Sequence, residues 1–127
     1  MADQGEKMKI SEYRVKQWQV YHKFHKSRVN LLIHIVFVPV FIYGFLLLLS
    51  SLVLLKPFGL VLSLLMMGIA FAAQGFGHSR ESEPAAPFTG ISNALIRILL
   101  EQLYTFPKYV LTGGWYRAFR GEKDSVI

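Results

Sequence analysis

The chain has 127 residues, 53% of them hydrophobic and 17% charged, a formal net charge of +6, and no cysteine. Without thiols, disulfides, iron–sulfur clusters and thiolate-ligated haem are excluded. The excess of base points to anionic lipid headgroups and not to nucleic acid, because the basic residues are scattered beside apolar runs and no nucleic-acid motif lies among them.

In chain order, residues 11–25 read as an amphipathic surface-lying helix. Val15, Trp18 and Tyr21 or His22 fall at helical spacing, with Arg14, Lys16 and Lys23 elsewhere around the turn. A break is expected at Lys26-Ser27-Arg28, where Ser27 can cap the next helix. From Leu31 to Leu55 no residue carries a fixed charge, and only His34, Ser50 and Ser51 are clearly polar. After Lys56-Pro57 a second uncharged run goes from Phe58 to Phe76. About 20 residues rising roughly 1.5 Å each cross a hydrocarbon core of about 30 Å, so residues 29–55 and 57–78 are expected to form a transmembrane helical hairpin.

The connection is too short for anything but a hairpin, so both chain ends fall on one side. Seven basic residues precede position 31 and six follow position 76, against Lys56 alone at the turn. By the positive-inside rule both termini are expected to be cytoplasmic, in a bacterial inner membrane or in the endoplasmic reticulum. The hydrophilic first 30 residues lack the pattern of a cleavable signal peptide, so the first long helix is expected to act as an uncleaved anchor.

Beyond Pro84-Ala85-Ala86-Pro87, residues 89–119 read as an interfacial helical tail. Thr89 or Ser92 can cap it, and Ile91, Leu95, Ile98, Leu99 and Leu103 share a face opposite Asn93, Arg97 and Glu101. Arg97 with Glu101 reads as a surface pair. Pro107 is expected to interrupt the helix, and Gly113-Gly114 to interrupt the next before Trp115-Tyr116-Arg117, residues suited to a headgroup layer. The expected fold class is all-α: one integral membrane domain, its hairpin flanked by amphipathic interfacial helices.

The four histidines sit at His22, His25, His34 and His78. Imidazole is a common metal ligand, and an idle polar ring at a bilayer is expensive, so a metal site is expected. Counted from the Lys56-Pro57 turn, His34 is 22 residues back and His78 21 forward, each about 32–33 Å away and therefore level. Asn30 lies four residues before His34, and Gln74 four before His78, on the same helical faces. Gly44 and Gly68 are level by the same count, and Gly68-x3-Ala72 is a small-residue pair that suits close approach. His25 and His34 are nine apart and meet only if the chain turns between them.

The pattern Tyr21-x3-His25-x4-Asn30-x3-His34-x4-Pro39, followed by Gln74-x2-Gly77-His78 and then acids and Pro84-Ala85, resembles the membrane family that includes the yeast 2-hydroxy fatty acid dioxygenase. The likeness covers both apolar runs and their flanks, and the tail is similar to that of short bacterial members. The resemblance implies an iron(II) enzyme, using dioxygen, that shortens a 2-hydroxy fatty acid by one carbon. On that basis His25, His34 and His78 are metal ligands, with His22 as a further candidate. Glu81 is a catalytic acid or ligand, and Asn30, Gln74 and Glu83 support the site. The chain departs from the family in the acid: Glu81 stands three and Glu83 five residues after His78, with Pro84 following directly. Two other readings of the same residues are a non-enzymatic membrane or lipid-binding protein and a metal-dependent lipid hydrolase.

Overall fold

The computed structural model describes residues 8–122, and these are helical with no strand among them. Helix α1 is Ile10–Val20, and a tighter 3-10 turn, Tyr21–Phe24, continues it. The sequence expectation of one helix over 11–25 is therefore corrected. The chain leaves helical geometry at His25, where φ is −134° and ψ 64°. That break separates His25 from the helix that carries His34.

Helix α2, Arg28–Val53, starts at Ser27, whose hydroxyl accepts from the Asn30 backbone N–H at 3.4 Å. Helix α3, Pro57–His78, starts with proline in its first turn, where the missing N–H is not needed. At 26 and 22 residues both are long and apolar enough to cross a membrane. Only 28% and 17% of their most apolar stretches are buried, far less than the core helix of a soluble protein would show.

The two long helices pack antiparallel, and their closest approaches are at small residues. A Cβ on Gly44 would lie 3.1 Å from Met66 Cβ and Met67 Cγ, and one on Gly77 would lie 3.3 Å from Asn30 Cα. Gly68 faces open space, so the expected Gly68-x3-Ala72 contact is not where the helices meet. The count from the turn finds axial level but not rotation about the axis, and it is rotation that decides which glycine faces the neighbour.

Helix α2 ends in a Schellman-type turn: Lys56 N–H donates to the Ser51 carbonyl at 2.9 Å, and Leu55 takes φ 52°. That left-handed position normally belongs to glycine, because a Cβ there costs about 1–2 kcal/mol. Leu55 is 82% exposed and gains little packing in return. Leu55→Gly is expected to raise stability by about 1 kcal/mol, read as a higher unfolding midpoint in detergent; an unchanged or lower midpoint would count against strain at this turn.

The tail folds back over the other end of the pair. Helix α4, Ile91–Leu100, runs into a π-helical turn, Glu101–Thr105, then α5, Phe106–Leu111, and α6, Gly114–Phe119. Pro107 does not stop the helix. It lacks the N–H that would bind the Leu103 carbonyl and crowds it, and the turn before it widens so that Phe106 N–H reaches the Glu101 carbonyl. Neither Thr89 nor Ser92 caps α4: the cap position is Gly90, and the Asn93 side chain accepts from Thr89 N–H instead.

The apolar core sits at this end, where Tyr21, Leu31, Val38, Phe106 and Tyr109 are buried together with Trp18, Ile35 and Trp115 packed against them. Trp115 Nε1–H donates to the Leu31 carbonyl at 2.8 Å, fastening α6 to α2. Ile91, Leu95 and Leu103 stay exposed while Gln102 and Thr105 are buried, so the π-helical turn directs polar side chains inward, whereas Phe106 and Tyr109 after it join the core.

Candidate metal centre

Four side chains from four segments converge at the end of the helix pair away from Leu55. His25 comes from the break after the 3-10 turn, His34 from α2, His78 from the last residue of α3, and Glu101 from the π-helical turn. One potential ligand atom from each lies within 4.8 Å of every other. The imidazole centroids are 4.8 Å apart for His25–His34, 4.8 Å for His25–His78 and 5.0 Å for His34–His78. Two donors on opposite sides of one ion at about 2.1 Å are about 4.2 Å apart, so a small inward movement of the most widely spaced atoms would close the cluster onto one ion.

Hydrogen bonds fix which nitrogens face the centre. His25 Nδ1–H donates to the Tyr21 carbonyl at 2.8 Å, and His34 Nδ1–H to the Asn30 carbonyl at 2.9 Å. Each bond uses the carbonyl four residues back and leaves Nε2 as the lone-pair nitrogen. These two Nε2 atoms and Nδ1 of His78 are buried without a hydrogen-bond partner. Leaving one such group unsatisfied costs about 1–3 kcal/mol, and unpartnered imidazole nitrogens gathered in one cluster are the pattern that a bound cation relieves. The Glu101 carboxylate completes the ring, 3.8 Å from His25 Nε2 and 3.6 Å from His34 Nε2. Those spacings are too long for hydrogen bonds and suit co-ligands.

The charge state fits the same purpose. Burial pushes the His25 imidazole down to about 3, so its ring is neutral at physiological pH. Burial pushes the Glu101 carboxyl up, but contact with His34 and the nearness of the His25, His34 and His78 rings outweigh it, and the group stays below the ordinary carboxylate range. An ionised carboxylate with imidazole nitrogens is a donor set for a divalent first-row metal ion.

Around the cluster, Gln74 and Gln102 form a buried reciprocal amide pair, with bonds of 2.9 and 2.7 Å, and Gln102 Nε2–H also donates to Glu101 Oε1 at 3.3 Å. The pair ties α3 to the π-helical turn and orients the carboxylate. The Tyr21 ring stacks on His25 with centroids 3.8 Å apart, and Phe106 covers His34 at 5.7 Å.

The remaining sequence candidates lie outside the ring of ligand atoms. Glu81 receives Lys26 N–H, Ser27 N–H and Asn30 Nδ2–H at 2.7–3.1 Å, so it anchors the break before α2 instead of joining the donors. Asn30 is buried between Glu81 and His34 and links the two. Glu83 pairs with Lys23 at 3.4 Å on the surface. His22 is not among the converging side chains; its carbonyl accepts from the His25 N–H.

Glu101 is the residue that sequence reasoning missed. Four positions after Arg97 it reads as half of a surface pair, but Arg97 instead donates to the Ala86 and Pro87 carbonyls and to Asn93. Its signal in the sequence is faint: an acid six residues before a helix-interior proline, beside Gln102.

Comparison with family models, with curated proteins and with solved structures finds no match.

Proposed function

We propose that the protein is an iron(II)-dependent dioxygenase of the membrane surface that converts a 2-hydroxy fatty acid to the acid one carbon shorter. The observation that carries this reading is the cluster of buried, partnerless imidazole nitrogens with one ionised carboxylate, set beside a largely apolar cavity. The resemblance of residues 21–39 and 74–85 to the 2-hydroxy fatty acid dioxygenase family supports the choice of iron and substrate. The overall change balances without an external reductant: one 2-hydroxy acid and one dioxygen give the shortened acid, carbon dioxide and water.

In this reading α2 and α3 form a membrane hairpin, and α1 and the tail lie at headgroup level with Ile91, Leu95 and Leu103 toward lipid. Both termini and the metal centre are cytoplasmic, by the distribution of basic residues. His25 and His34 would hold the ion through Nε2, with an imidazole nitrogen of His78 and the Glu101 carboxylate as the further donors. Bound iron(II) supplies Lewis acidity and redox chemistry with dioxygen. The chain's own part is to place the donors, to shield them with Tyr21 and Phe106, and to leave His25, His78 and Glu101 on the cavity wall where a substrate head can approach.

The test is metal content with oxygen uptake on the purified protein. About one iron per chain and uptake on adding a 2-hydroxy fatty acid are expected, and His34→Ala is expected to lose both while remaining inserted. Zinc with oxygen-independent product release would replace the reading with a lipid hydrolase, and no metal at all would leave a membrane anchor.

A further inference from the structure

A cavity of about 670 Å³ adjoins the metal centre, between α1, α3 and the segment from Ala85 to Ile98. Its wall is predominantly apolar, with Val20, Phe24, Phe71, Phe88 and Ile98 among its residues, and its polar end is formed by His25, His78, Glu101 and the Gln74–Gln102 pair. The volume is that of a site for one ligand of modest size, in the range of about 300–1,000 Å³. Lys16 and Arg97 also stand on the wall, and Glu101 is its one acid. Such a lining favours an occupant with one long apolar part and one anionic head directed at the cluster.

One wall position is bare. Gly75 lies on α3 three residues before His78, and a Cβ built there meets nothing within 4 Å. Its helical backbone requires no glycine, since its φ is not positive. At Gly44 and Gly77 the neighbouring helix fills the space, whereas Gly75 is exposed and, unlike Gly68, stands among the residues that line the cavity. Phe71, one turn earlier, is 45% exposed, so the cavity opens on the flank of α3 that faces lipid in the membrane reading.

We propose that this cavity takes the hydrocarbon chain of a single-chain lipid carboxylate and that Gly75 sets how much chain it accepts. The proposal rests on the reading of the site as one that acts on lipid, and it adds the place where the chain lies. A side chain at position 75 occupies volume that methylenes of the ligand would otherwise fill. Each methylene withdrawn from apolar surroundings weakens binding about fourfold.

The test compares the full protein with Gly75→Leu in lipid nanodiscs, under argon so that no turnover occurs. The readout is displacement of a fluorescent fatty acid by straight-chain 2-hydroxy acids of increasing length. Gly75→Leu is expected to weaken the longest acids about tenfold or more and to leave the shortest nearly unchanged. Gly68→Leu, on a face of α3 outside the cavity, is expected to match the unsubstituted protein. Leucine at 75 replaces glycine within a helix and meets no backbone, so folding and metal content are expected to hold. An identical chain-length profile in Gly75→Leu and the parent would overturn the proposal. Chain binding with the expected profile but no oxygen uptake in air would keep the cavity assignment and remove the oxygenase; uptake with an unchanged profile would do the reverse.

Discussion

Glu101→Ala is expected to strip the protein of most of its metal while leaving both long helices in place. The carboxylate is the one anionic donor among three imidazoles, and without it a divalent ion gains no charge compensation in a buried setting. Disturbing even the partners that orient ligands typically lowers metal affinity about 10- to 100-fold, and loss of the ligand itself should exceed that. Glu101→Gln keeps the shape and removes the charge, so it is expected to fall between the parent and Glu101→Ala. Metal content of the purified variants, measured beside their helical circular dichroism, decides the matter. Full metal retention by Glu101→Ala would place the carboxylate outside the coordination sphere.

A comparably large effect is expected from Gly77→Leu, this time through the backbone. The Gly77 Cα faces Asn30 so closely that an added Cβ would stand 3.3 Å from its Cα and Cγ, and the rest of a leucine has nowhere to go. Asn30 is fully buried, donates to Glu81 at 2.7 Å and offers its carbonyl to His34, so it cannot yield without moving its neighbours. The helices must part beside the histidines. Overpacking of this kind typically costs about 1–3 kcal/mol, and the accompanying separation of His34 from His78 should abolish metal binding. Gly68→Leu, with open space at its Cβ, is the matched control. Normal metal content in Gly77→Leu would mean that the two helices have more freedom at this level than their packing implies.

How far the sequence speaks depends on the kind of geometry asked of it. Two uncharged runs joined at Lys56-Pro57 declare two long helices directly, because length and apolarity are local properties. Rise per residue then puts His34 and His78 at one level, and their rings lie 5.0 Å apart. Ser27 marks the break that lets His25 swing toward them. What escapes is whatever depends on rotation or on the tail's return. Gly68 is level with Gly44 by the count from the turn, yet the helices touch at Gly44 and Gly77 while Gly68 faces open space. Glu81 carries an acid beside His78 in sequence, yet the free N–H groups before α2 are nearer and take it. Glu101 is reached only because α4 and the widened turn before Pro107 bring the chain back over α3, a tertiary event with no periodic trace.

That widened turn has a consequence for the timing of assembly. The histidines precede Glu101 in the chain, and the two long helices can pair as soon as α3 is made. The carboxylate and its Gln102 support arrive last, carried by a segment that must first fold back over a partly finished protein. Until then the centre has three imidazole donors of mixed firmness, His78 lacking the carbonyl clamp that holds His25 and His34. In the proposed reading, tight capture of an ion would therefore wait for the tail to close, because the one anionic donor comes with the last helices.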